Sequence, residues 1–201
     1  MLKFIKNSSG FMGFTLTSVG LLIASGILLI VVCSLIASNP WQETEELHAV
    51  ARNVATRVQD MDSRFYENTF VYQCPLRTYQ YTIQLSTEYV TVSAKNIWGE
   101  TLSVKERFIV HPWPRNDTMN WTTGYELHCF LNETYGHWGT SEDPLPLMNL
   151  SEFENDRENC TTRLASYPLS MRVTTPLYFE KVSLFDDAGE KHDTVLLYQI
   201  K

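Results

Sequence analysis

The sequence predicts an α+β protein: a long N-terminal transmembrane and amphipathic helix followed by an antiparallel β-sheet or sandwich ectodomain. Three observations predict it. An uncharged apolar run opens the chain, a stripe of apolar residues at three- and four-residue steps follows it, and period-two alternation takes over near Thr69.

From Phe11 to Ser38 there are 28 residues without a charge, where about 20 apolar residues suffice for a helix to cross a bilayer. Lys3 and Lys6 precede the run, and Glu43, Glu45 and Glu46 follow it. This lysine bias predicts a cytoplasmic N-terminus, an extracellular C-terminal domain and a single-pass protein of the cell membrane, with membrane lipid as a partner. A cleaved signal peptide fits less well, because its apolar core is shorter and Ile36-Ala37-Ser38 lacks the small residue that cleavage requires. Gly20 and Ala24, four apart on one face, are the expected helix-packing pair. The predicted segments are a leader (1–13), the spanning helix (14–38), an amphipathic helix (41–66) and a β-rich glycosylated ectodomain (67–201).

Pro40 lacks a backbone donor, so a break is expected between the two helical segments. Beyond it Leu47, Val50, Ala51, Val54, Ala55, Val58 and Met61 form one stripe, and Glu43, Glu45, Arg52, Arg57 and Asp60 fall off it. Strands are expected over Thr69–Gln73, Tyr79–Leu85, Tyr89–Lys95 and Thr101–Val110. A final hairpin pairs Leu177–Phe185 with Thr194–Ile200 around a turn at 186–191. Between these, residues 111–170 hold Pro112, Pro114, Pro144, Pro146 and three tryptophans, which reads as a loop-rich insertion with strands only at Tyr125–Leu131 and Leu164–Val173.

Of the 39 charged side chains, the 23 acidic ones all follow the apolar run together with 14 basic ones, a net charge of −9 there. Such a surface repels phosphates, so nucleic acid is excluded as a partner. The sequons at Asn116, Asn120, Asn132, Asn149 and Asn159 crowd one stretch and predict glycosylation. Cys74, Cys129 and Cys160 are an odd set. A disulfide between Cys129 and Cys160 is expected, with Cys74 to Cys129 as the other pairing compatible with the spacing.

No nucleophile elbow, zinc-protease helix, phosphate-binding glycine loop or paired-cysteine motif occurs. Neither a catalytic residue, a metal nor a cofactor is expected. The acidic runs at 152–156 and 186–187 lack the spacing of a calcium loop and read as solvated surface. Trp113, Trp121 and Trp138, with Tyr125 and Tyr135, suggest either an aromatic platform for sugar or a neighbouring subunit, or plain core.

The stretch Gly13-Phe14-Thr15-Leu16, after a short lysine-bearing tail and before an unbroken apolar helix, resembles the processing site of type IV pilins and their archaeal relatives. The resemblance covers about the first 60 residues. It implies cleavage by a prepilin peptidase after Gly13, leaving Phe14 as the new N-terminus, with Gly10-Phe11 as a second possible cut, and a helix that bundles with its copies beneath a β-rich head. Ser18 stands at the fifth mature position, where the bacterial members usually carry glutamate. The expected function is thus a pilin-like, membrane-anchored cell-surface subunit acting in filament assembly or adhesion, with homo- or hetero-filament subunits as partners. The alternative is a stand-alone single-pass protein whose β ectodomain binds a ligand or cell wall.

Overall fold

The computed structural model describes residues 8–95, 99–116 and 119–200, and for 8–16 and 34–41 the backbone alone. Two units divide it, Met1–Glu43 and Thr44–Lys201. Helix α1 (Ser8–Asp62) contributes to both, and its assignment continues through Asn39-Pro40, where a break was expected.

In the first unit, the side chains from Thr17 to Cys33 are all exposed. Among the described residues no helix is long and apolar enough to cross a membrane. This corrects the expected transmembrane helix, and with it the single-pass membrane localisation and its extracellular side. From Glu43 onward α1 carries Glu43, Glu45, Glu46, Arg52, Arg57, Asp60 and Asp62.

The second unit is an α+β fold with two four-stranded sheets, where an antiparallel sheet or sandwich after a membrane anchor was expected. One sheet has the order β1 (Asn68–Tyr72), β7 (Leu177–Phe185), β8 (Lys191–Tyr198), β5 (Trp113–Pro114); the other has β4 (Thr101–Arg107), β3 (Tyr89–Lys95), β2 (Tyr81–Leu85), β6 (Leu169–Met171). All pairings are antiparallel except β5 on β8. Residues 111–170, expected as loops, form helices α2 (Gly124–Tyr135) and α3 (Leu147–Ser166).

Alternation explains the layering. On β7 and β8 the residues Leu177, Phe179, Val195 and Leu197 join Leu47, Val50, Ala51, Val54, Val58 and Met61 of α1 and the inner faces of β2, β3 and β4 in one core. The opposite face of the same hairpin, Val182, Leu184, Leu196 and Tyr198, joins Leu127 and Leu131 of α2 and Leu150, Phe153 and Leu164 of α3 in a second. A hairpin buried on both faces reads as a nearly continuous apolar run, as Thr194–Tyr198 does. Each large side chain so buried contributes about 1.5–3 kcal/mol before conformational entropy is subtracted.

Candidate functional site

Two features stand out. The first is the apolar face of α1 in the first unit. Val19, Leu21, Leu22, Ile23, Ile27, Leu28, Leu29, Ile30, Val31 and Val32 are between 46 and 71% exposed. At 100° per residue these positions cover every side of the helix, unlike the single stripe of an ordinary surface helix. Gly20 and Ala24 lie within this surface, and a side chain added at Gly20 would meet nothing within 4 Å. Gly13 and Phe14 fall in α1 where the side chains lie outside the described residues.

The second is built where β5 meets the head. Pro114 has no amide hydrogen to donate, which suits the short edge strand it occupies. One residue on, Arg115 N donates to Leu197 O at 2.7 Å, so pairing with β8 fixes the arginine's backbone. The chain then curls back: Thr122 Oγ1 donates to Asn116 O at 3.2 Å, and a capping box starts α2, with Glu126 N donating to Thr123 Oγ1 and Thr123 N to Glu126 Oε2, both at 3.2 Å. That curl wraps the Arg115 guanidinium. Its Nε and Nη2 donate to Trp121 O at 3.0 and 2.6 Å, and its Cζ stands 3.5 Å from the Trp121 ring centre and 4.9 Å from that of Trp113. Trp113 meets Trp121 edge-on at 4.8 Å, and Phe153 of α3 tilts against both at 5.8 and 6.4 Å.

Arg115 is 4% exposed, and desolvation pulls its pKa down to about 10 against the opposing influence of nearby Cys160. The ion pairs among the described residues do not include it. Trp113 Nε1, also buried, has no hydrogen-bond partner among the described residues. Both residues line a cavity of about 380 Å³ whose other walls include Asn120, Phe130, Asp156 and Arg163.

The proposed aromatic platform does not form as one surface. Trp113 and Trp121 are buried in the second core, whereas Tyr125 and Trp138 are exposed on or after α2. Arg115 is the residue that sequence reasoning missed, and no local pattern marks it.

The expected disulfide is corrected: Cys33, Cys74, Cys129 and Cys160 are all free. Cys129 on α2 has the Tyr125 hydroxyl, one turn back, as its hydrogen-bond neighbour. Cys160 on α3 packs at the second core beside Arg115, and Cys74 is buried in the first core. The three thiols thus have separate surroundings.

Among the sequons, Asn120 is exposed in a loop and Asn159 exposed on α3. Asn132 on α2 and Asn149 on α3 are half-buried within helices, and Asn116 is half-buried with Asp117 and Thr118 outside the described residues. The 186–187 acidic pair, read as solvated, is divided. Asp186 is 2% exposed, and a carboxylate oxygen of Asp186, one of Glu190 and a ring nitrogen of His192 lie within 4.8 Å of one another, the set among the described residues that could hold a metal ion. Asp186 is held below the usual carboxylate range, first by the Glu190 amide donating at 2.7 Å, against burial, and then by His192 at 3.4 Å.

Comparison of the chain with family models, with curated proteins and with solved structures finds no match.

Proposed function

We propose that the chain is a pilin-like, non-catalytic assembly subunit, in which the apolar part of α1 bundles with the same helix of other copies and the α+β head carries adhesion. One observation carries this reading: residues 17–33 expose large apolar side chains on every side of the helix. A soluble surface rarely leaves so large a contiguous apolar patch uncovered, and a helix apolar all round is a helix meant to be enclosed. Burying these side chains between copies is worth about 1 kcal/mol or more for each. The small residues Gly20 and Ala24 give a place for two backbones to approach, and the processing-site resemblance at Gly13-Phe14 supports the same reading.

The test uses full-length protein from its native host. Assembly predicts a high-mass species by light scattering, Cys33 protected from maleimide within it, and dispersal with restored labelling in Leu22→Lys. N-terminal sequencing should find Phe14 or Phe11 first, the product of a prepilin peptidase. A dispersed monomer with freely labelled Cys33, or an intact Met1, sinks the proposal and favours a stand-alone binding protein. If Gly20→Ile leaves assembly unchanged, the helix still bundles but through another face.

A further inference from the structure

The cavity beside Arg115 holds two groups whose chemistry is incomplete. A guanidinium 4% exposed has no carboxylate paired with it among the described residues, although an uncompensated buried charge is costly to keep. Aromatic rings and one carbonyl offset that cost without neutralising the charge. The Trp113 indole, nine-tenths and more buried in the same lining, has an Nε1 hydrogen with no acceptor among the described residues. Guanidinium and indole are both donors only, so the complement to this wall is an acceptor with negative charge. Arg163, on the exposed side of α3, adds a second cation to the lining.

The remaining wall is amphipathic. Trp121 and Phe153 present apolar surface, while Asn120 and Asp156 present an amide and a carboxylate that bond hydroxyl groups. A pyranose ring has one apolar face and a hydroxylated rim, whereas a benzene ring would leave the amide and carboxylate unmatched. The volume of about 380 Å³ lies in the range of small-molecule sites, about 300–1,000 Å³. We propose that this cavity is a binding site for a carboxylate-bearing sugar of the uronic-acid class, its carboxylate on Arg115 with Arg163 beside it. The proposal is independent of assembly through α1.

Titration of the full chain with glucuronate, followed by tryptophan fluorescence and calorimetry, tests it. Protein from a host that does not glycosylate keeps the Asn120 amide free. Glucuronate should saturate with a Kd of about 1 mM or tighter, glucose should bind at least tenfold more weakly, and bound glucuronate should slow alkylation of Cys160 in the lining. Arg163→Gln, exposed and compatible with the fold, should weaken glucuronate about tenfold by removing a charge-assisted contact. Arg115→Lys, if folded by circular dichroism, should weaken it more. No saturable binding, glucose as tight as glucuronate, or unchanged affinity in Arg163→Gln would each overturn the site; benzoate as tight as glucuronate would overturn the sugar.

Discussion

Lys181 Nζ stands 2.8 Å from Asp193 Oδ2 across the β7–β8 hairpin and also donates to Asp62 O and Arg64 O at 2.6 Å each. The ammonium is 3% exposed and faces the end of α1, where the carbonyls of the last turn lack helical partners. It therefore ties the helix terminus to the sheet. Asp193 is held in turn by Ser183 Oγ at 2.7 Å and Lys191 Nζ at 3.0 Å.

Removing the Asp193 carboxylate leaves the buried Lys181 ammonium with backbone carbonyls but no opposite charge. Asp193→Asn should cost about 2–3 kcal/mol in urea unfolding. The pH dependence follows from Asp193: burial works to raise its pKa, but Lys181, Ser183 and Lys191 together lower it. A depressed carboxyl contributes stability that is present above the unfolded value of about 4 and is lost as pH falls through the folded value. Wild type should thus lose stability below about pH 4 more steeply than Asp193→Asn; parallel curves would refute the assignment.

Gly124 opens α2 where the helix meets β7. A Cβ there would lie 2.6 Å from Glu180 Oε1 and 2.7 Å from Val182 Cγ2, and Glu180 is already engaged by Gly124 N at 2.9 Å and the Tyr198 hydroxyl at 2.8 Å. Gly124→Ala should therefore destabilise by about 1–3 kcal/mol through overpacking, despite alanine's better helix propensity. A higher melting temperature in the variant would show that Glu180 yields freely.

Burial pushes the Cys74 thiol up to about 11. The thiolate is the reactive form, so alkylation of native protein at pH 8 should leave Cys74 unmodified while dispersed protein reacts at exposed Cys33. A raised thiol pKa contributes stability that is complete below the unfolded value of about 9 and is lost as pH rises toward 11. Urea midpoints of wild type should fall across that window, and those of Cys74→Ala should not share that part of the fall.

If the sequons are used, geometry ranks them. Occupancy by peptide mass spectrometry should be highest at exposed Asn120 and Asn159 and lowest at half-buried Asn132 and Asn149. The reverse order would mean that glycans are added before α2 and α3 form.

The strand Tyr89–Lys95 was legible because period-two alternation marks a one-sided strand directly. Tyr125–Leu131 alternates too, and so reads as a strand, yet it is helical. The deciding signal was local and overlooked: Thr123 and Glu126 make a capping box, and Gly136, at φ 77°, closes the helix. Helix α3 was hidden by Pro144 and Pro146, although Pro146 stands at its N-cap, where the missing amide costs nothing. Arg115 was not legible at all. Its burial depends on β5 pairing with β8, some 80 residues later in the chain, and no local pattern carries that information.

The hairpin shared by both cores has a consequence in time. Met61 and its stripe pack with Val195 and Leu197, so 134 residues separate Met61 from Val195. At about 5–20 residues per second a ribosome needs on the order of 10 s to cover that distance, during which the stripe has no β8 to pack against. Such non-local pairing folds slowly. The nascent chain therefore emerges with two uncovered apolar surfaces, the stripe that waits for its own strand β8 and the exposed side chains of residues 17–33.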